Sequence, residues 1–531
     1  MQCFARSKAA RWAAFWLTAL LAAAFAGALA PASAHAQDAA HSPCIATVEQ
    51  RAAYAADGTL DEREAFQESL GNDEPSPGLV QQALAREQAQ NGIAPNAVPG
   101  DDGGMAAIGN AHVVALRVSF PDRPFAEGDT LEALQALIGP RAVGEAALPS
   151  AGGFPYENLH DYYLRASYGA LTVTGEAFDY AAQHERDFYT ANIGQLYKEA
   201  LDHLEASGID LARFDANGDG RIDAVYLHFA GGDTGWGSVW WSNEQVLDVP
   251  DAVYADGTVR LWNAVALSNP CDQPWAAQTI IHETGHVLGL PDYYQYASQQ
   301  GGSADRTGIL TFDIMMQNQG DHNGFSKWML GWLPDSKITR IFANETGIDV
   351  KRDGKVVQHV DATADGSSSV EAALEAFASN DIDETGGIVV VANQDASMFS
   401  SYYLLQYDRF AGNQSVRYEQ DGQPAELPSG FRLFRVQADL GSGGPYFVHS
   451  NTYGTVHNQL IELVDPDMNE PHAESTDLVP AAIGSREYGC MLYAGDEVSP
   501  RGYPSTNFFE NANVGFTGLT IAVTESRADG G

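Results

Sequence analysis

His282-Glu283-Thr284-Gly285-His286 is the stretch of this chain whose residue types and spacing can do chemistry. On a helix, residues four apart share a face, so two imidazoles at that spacing can hold one metal ion. Glu283 then sits about 100° round the helix, near enough to reach a metal-bound water without being a ligand. Zinc lowers the pKa of such a water toward ~7, which lets Glu283 act as general base and pass the proton to a leaving amine. Gly289 tolerates the positive φ that ends a helix, and Pro291 prevents the helix from resuming. The chain is therefore expected to turn and bring Asp292 back as third ligand; a turn or calcium carboxylate is the other reading of Asp292. With 14 His in 531 residues, His-x-x-x-His arises by chance roughly 0.4 times, and the added Glu, Gly and Asp lower that to roughly one chain in ten thousand. An inert helix with two surface histidines is the weaker reading.

A second pattern, Asp215-x-Asn217-x-Asp219-Gly220-x-x-Asp223, has the spacing of a calcium loop, with oxygen ligands at positions 1, 3 and 5 and a glycine for the bend. Position 12 is Tyr226 rather than Glu, so Asp223 or a distant carboxylate would have to close the site. Structural calcium is expected here, with an Asx-rich turn before a strand as the alternative. Trp236, Trp240 and Trp241 could line a substrate cleft, but packing is the favoured reading.

These residues need elements to position them. Apolar runs at 113–120, 171–174 and 225–229 read as strands, and 189–204 and 278–288 as helices. Strands mixed with helices imply an α/β (α+β) domain over 106–340. Beyond it, apolar segments at 388–391, 402–407, 431–436 and 519–523 alternate with turn residues, which suggests a β-rich domain over 341–531, expected to be a sandwich. Residues 37–105 carry polar helical runs at 62–70 and 79–90. They end in Asn96-Ala97-Val98-Pro99-Gly100-Asp101-Asp102-Gly103-Gly104, a linker signature. This reads as a pro-segment, or else as an ordinary helical subdomain.

Residues 1–36 read as an address. Arg6, Lys8 and Arg11 precede an uncharged Ala- and Leu-rich stretch and the Ala34-His35-Ala36 site of a secretory signal peptide. A secreted, extracellular protein is expected, with no stable membrane insertion after signal removal. The net charge of −41 repels phosphate backbones and argues against nucleic-acid partners. Cys3 leaves with the signal, so Cys44, Cys271 and Cys490 stay. If Cys44 departs with the pro-segment, Cys271 and Cys490 could pair. Cys44 is also a candidate thiolate cap on zinc in a latent form.

Downstream, Phe312-Asp313-Ile314-Met315-Met316 places Met315 29 residues past His286. His-Glu-x-x-His-x-x-Gly-x-x-Asp followed by a methionine turn resembles a metzincin, and more closely the immune inhibitor A family of secreted bacterial metallopeptidases. Val118-Ser-Phe-Pro-Asp122, Ser167-Tyr-Gly-Ala-Leu-Thr-Val-Thr174, Asp321-His-Asn323 and Lys327-Trp-Met-Leu-Gly-Trp332 also fit that family. The likeness covers about 110–335 well and the rest loosely. It implies a zymogen, catalytic zinc, structural calcium, broad extracellular proteolysis, and Met315 as an apolar floor beneath the zinc histidines. Met316 leaves that register open by one. Many metzincins carry a tyrosine after the methionine turn; 317–324 has none, and His322, Tyr293 and Tyr294 stay open as oxyanion stabilisers.

The expected function is zinc-dependent endopeptidase activity on proteins or peptides. One rival is a zinc amidase on cell-wall material; the other is a non-catalytic extracellular binding protein.

Overall fold

The computed structural model describes residues 46, 48–90, 92, 104–140, 158–268, 270, 271, 276–294, 296, 309, 313–364, 368–373, 386–415, 417–420, 423–426, 429–453, 459–464, 491, 492, 496–498, 508–510, 513–515 and 520–525. The expected signal peptide, the 96–104 linker apart from Gly104, and Cys3, Cys44 and Cys490 fall outside them.

Three helices occupy the expected pro-segment: α1 (Val48–Asp57), α2 (Leu60–Leu70) and α3 (Pro77–Gln90). Gly71 at φ 83° closes α2 in the left-handed conformation that glycine adopts without steric cost. The next elements are β1 (Gly109–Ser119), α4 (Leu131–Ile138), α5 (Leu159–Ala166), β2 (Leu171–Ala181), α6 (Ile193–Ala206), β3 (Val225–Phe229), β4 (Asn243–Val246), β5 (Val253–Tyr254), β6 (Val259–Arg260), β7 (Asn263–Leu267) and α7 (Ala276–Val287).

Five of these strands form one sheet in the order β2-β1-β3-β7-β4, parallel apart from the edge strand β4. Strand β1 shows why the sheet is buried on both sides. Ala111, Val113 and Ala115 belong to one core together with α4, α5 and α7, while Val114, Leu116 and Val118 belong to the other with α6. The helix expected at 189–204 begins at Ile193, after a single 3₁₀ turn at Arg186–Tyr189. The tryptophans pack, as favoured: Trp240 sits edge-on to Phe120 and Phe229, and Trp236 and Trp241 share a small buried cluster.

After α8 (Ile314–Gln317) and α9 (Gly324–Leu330) the chain turns β-rich through β8 (Ile338–Ala343), β9 (Gly347–Arg352), β10 (Lys355–Asp361), β11 (Ile388–Ala392), β12 (Ser401–Asp408), β13 (Arg417–Gln420), β14 (Gln423–Glu426), β15 (Gly430–Gln437), β16 (Ile461–Leu463), β17 (Glu497–Val498), β18 (Phe508–Glu510), β19 (Asn513–Gly515) and β20 (Ile521–Ala522). Seven of them make a mixed sheet, β10-β9-β8-β11-β12-β15-β16, in which only β8 and β11 are parallel. The boundary expected at 340 falls inside β8. One face of this sheet, including Val390, Leu404 and Phe434, packs with Phe325 and Met329 of α9 in the same core as α7. The other face, including Tyr403 and Leu433, packs against Val498 and Ile521. The fold is thus a mixed α/β structure with parallel and antiparallel sheets, in which the second sheet buttresses the helices beneath the HExxH segment. Among the described residues no helix is long and apolar enough to cross a membrane.

Candidate metal centre

Every residue of α7 is buried, because the helix lies between the first sheet and the helices that abut the second. His282 and His286 stand one turn apart with ring centroids at 4.8 Å. Each turns its Nδ1 to a backbone carbonyl, His282 to Ile314 at 2.7 Å and His286 to Leu290 at 2.8 Å. A carbonyl only accepts, so in the neutral rings both Nδ1 atoms carry the proton and both Nε2 atoms present lone pairs, a tautomer assigned from these partners.

The two Nε2 atoms lie 3.1 Å apart, and Asp292 Oδ1 lies 3.1 Å from one and 3.3 Å from the other. Three acceptors converge in a dry place, and Asp292 Oδ1 receives no hydrogen bond there. With both rings neutral and no cation between them, such an arrangement is repulsive. A tetrahedral ion with ligand bonds of 2.0–2.1 Å has donor–donor edges of about 3.3 Å, so the observed triangle matches the face a zinc ion requires. The donor set of two neutral imidazoles and a carboxylate also suits zinc. Burial alone would push Asp292 up, but the two imidazoles outweigh it and hold the carboxyl well below the usual range. Burial would likewise lower His286; Asp292 outweighs it and raises it.

The return of Asp292 follows from the helix end. Gly289 has φ +89°, its N–H donates to His286 O, and the Leu290 N–H reaches back to Gly285 O, the paired bonds of a Schellman cap. Pro291 then leads into Asp292. Tyr296, one helical turn's spacing further on, donates its hydroxyl to Asp292 Oδ2 at 2.6 Å and leaves Oδ1 for the histidines.

Glu283 is buried between the strands and its own helix. Burial pushes its carboxyl up to about 8, with His282 pulling the other way, and it accepts the backbone N–H of Glu244 on edge strand β4. The Glu244 carboxyl is itself pushed up to about 7 by burial. A dication beside Glu283 would favour its ionised form.

Met315 supplies the floor. A Cβ built at Gly285 would run into Met315 Sδ, with Cε at 2.9 Å, so Gly285 lets the methionine lie directly under the turn between the histidines. Asp313 fixes that loop by accepting from the Met315 N–H and from both the N–H and the side-chain amide of Asn323. Of the two adjacent methionines, Met315 is the one set against Gly285. His322 comes to the same spot, its Cε1 3.6 Å from a Cβ built at Gly285, boxed by Tyr162, Tyr163 and Trp332, with no hydrogen-bond partner for either ring nitrogen among the described residues. The Tyr293 hydroxyl is taken up with Ser326, and the Tyr294 ring lies against Tyr296.

The expected pro-segment lies on this centre. Arg51 donates to the Tyr296 carbonyl, the Asn72 carbonyl accepts the Asp292 N–H at 2.8 Å, and the Ser76 N–H donates to Gly289 O at 2.9 Å. Asn72, Glu74 and Ser76 line a cleft together with Glu244, His286 and Gly289.

The second expected metal loop is arranged differently. Asp215 accepts from the N–H groups of Asp219 and Gly220, Asp219 from those of Arg221 and Gly104, and Asp223 from that of His112 at 2.6 Å. The Asn217 side chain accepts from the Asp219 N–H and donates to Gly104 O. Among the described residues these carboxylates do not gather into a metal-holding group. The pairing expected of Cys271 with Cys490 involves a residue outside those described; Cys271 itself is buried beside Asp129 and His228. Tyr296, Glu244, Asp313 and this Asp–His–Cys cluster were not singled out from sequence.

No family model matches the chain, and no curated protein matches it significantly.

Proposed function

We propose that this protein is a secreted, zinc-dependent endopeptidase that hydrolyses protein peptide bonds, akin to the immune inhibitor A-type metallopeptidases. The observation that carries the reading is the convergence of His282 Nε2, His286 Nε2 and Asp292 Oδ1 at 3.1–3.3 Å with Glu283 on the same helix turn. Zinc held by these three would supply a Lewis acid and a water acidified toward ~7. Glu283 takes the proton from water and returns it to the leaving amine nitrogen. Tyr296 and the two backbone carbonyls hold the ligands in one tautomer and orientation. Residues 37–105 act as a pro-segment over the centre. We place the first sheet and α7 in a metzincin-like fold, and the C-terminal strands in a sandwich in which β17 and β20 cover one face of the seven-stranded sheet.

The test is casein cleavage by the full chain before and after release of residues 37–105. Cleavage is expected only after release, should stop with a zinc chelator, and should return on adding zinc. Intact casein combined with cleavage of cell-wall peptides would favour the amidase. Inertness towards both would favour the binding protein.

Calcium at Asp215, Asn217, Asp219 and Asp223 is part of the same proposal, and pH tests it. Burial pushes the Asp223 carboxyl up to about 7. Its unfolded value is about 3.9, so between about 4 and about 7 the folded state binds more protons than the unfolded one. In calcium-free buffer stability should therefore fall as pH rises through that window, and Asp223→Asn should flatten the slope. Calcium binding would reverse it in the parent protein, raising Tm most near neutral pH. A Tm series unchanged by calcium at every pH would leave an Asx turn.

A further inference from the structure

One other set of donors converges among the described residues, away from α7: Asp129, His228 and Cys271, all buried, with ligand atoms within 4.8 Å of one another. They come from three separate stretches. Asp129 stands just before α4, His228 is on β3, and Cys271 lies on the connection from β7 to α7. The parallel pairing of β3 with β7 sets His228 against Leu267 in register. There His228 Nδ1 faces the Leu267 carbonyl at 3.3 Å, and Nε2 faces both carboxylate oxygens of Asp129 at 2.8 and 3.0 Å. The Cys271 N–H donates to Asp129 Oδ1, which brings the thiol to the same spot. Phe125 stacks on the imidazole at 5.1 Å and closes that side.

Two chemistries use a buried Cys, His and Asp. A nucleophilic triad needs the imidazole to bridge, with one nitrogen for the thiol and the other for the carboxylate. Here the carboxylate faces Nε2 and a backbone carbonyl faces Nδ1, so neither nitrogen is left to take a thiol proton. Metal ligation needs only that a bare Nε2, a carboxylate and a thiolate point at one place. Without a metal, Nε2–H donates to Asp129; moving the ring proton to Nδ1, where the Leu267 carbonyl stands ready to accept it, frees the Nε2 lone pair for an ion held between imidazole, carboxylate and thiolate.

We propose that Asp129, His228 and Cys271 form a second, structural site for a borderline divalent metal, zinc by its N, O and S donors. Both Asp129 oxygens are within reach, so the carboxylate can fill more than one position. Cys271 binds as thiolate and releases its proton on loading. The ion ties the segment before α4 and the end of β3 to the connection that delivers α7, so it holds the HExxH helix against its sheet. The site does not depend on the peptidase reading.

A cobalt-substituted full chain carrying His282→Ala and His286→Ala isolates it, because the first centre has no sulfur and is removed. One cobalt per chain is expected, with a thiolate-to-cobalt charge-transfer band in the near ultraviolet. The band should disappear in the further variants Cys271→Ser and His228→Gln, with folding checked by circular dichroism. Should those variants fail to fold, the stoichiometry and band of the two-alanine protein still decide. No bound cobalt, cobalt without the band, or a band that survives Cys271→Ser (and so belongs to Cys44 or Cys490) would each overturn the proposal. Casein cleavage in the parent protein stands or falls separately.

Discussion

Replacing Glu283 with Gln is expected to lower casein turnover about 10²–10⁴-fold, the usual contribution of a positioned general base, while bound zinc stays unchanged. Glutamine has the same shape, and its carbonyl oxygen can still accept the Glu244 backbone N–H that reaches Glu283. What it lacks is a basic site for a proton. The donors proposed for zinc lie on His282, His286 and Asp292, so the metal has no reason to leave. In the bare protein burial holds Glu283 up to about 8, mostly protonated at neutral pH and useless as a base. A dication next to it favours the carboxylate. The acid limb of the parent's pH–activity profile should therefore fall below that value, and Glu283→Gln should abolish the limb. Activity within about tenfold of the parent, with zinc retained, would remove Glu283 from the chemistry. Zinc loss on this substitution would mean that Glu283 is needed to form the site.

How far the sequence revealed this centre depended on how local each relation was. His282, Glu283, His286, Gly289, Pro291 and Asp292 fall within eleven residues, and helix period plus a glycine cap place them without knowledge of the rest of the fold. Tyr296 lies only four residues further on, but a tyrosine among Tyr293, Tyr294 and Tyr296 gives no sign of which hydroxyl will reach Asp292. Glu244 and the Asp129–His228–Cys271 cluster were out of reach for another reason: β-strand register brings them in, and register is not written in short motifs. The largely buried strands β3, β11, β12 and β15 were legible to within a residue or two because apolar and aromatic residues dominate them. Strand β10 was not, since all but one of its residues are exposed and it has no apolar alternation. The Asp215–Asp223 stretch was legible in its turn but not in its metal. The spacing that puts oxygens around calcium also puts them over successive backbone N–H groups, and those bonds are made here.

Gly285→Ala is expected to cost both stability and zinc binding. Gly285 stands between the two histidines and faces Met315, and its new Cβ would collide with Met315 Sδ. Met315 is fully buried and its loop is tied by Asp313 to Asn323, so it has little room to retreat. Overpacking of this kind costs about 1–3 kcal/mol. The larger effect falls on the centre. The Ile314 carbonyl that orients His282 belongs to the displaced loop, so the imidazole moves with it. A displacement of about 1 Å in a catalytic group costs about 10²-fold in rate, and zinc affinity should drop together with turnover. A smaller floor tests the cause. Gly285→Ala combined with Met315→Ala opens space where the collision occurred, and should recover zinc binding and part of the activity. The double variant should lose less than the sum of the two single losses. Strict additivity would show that the two side chains do not meet, and the floor beneath the histidines would have to be something other than Met315.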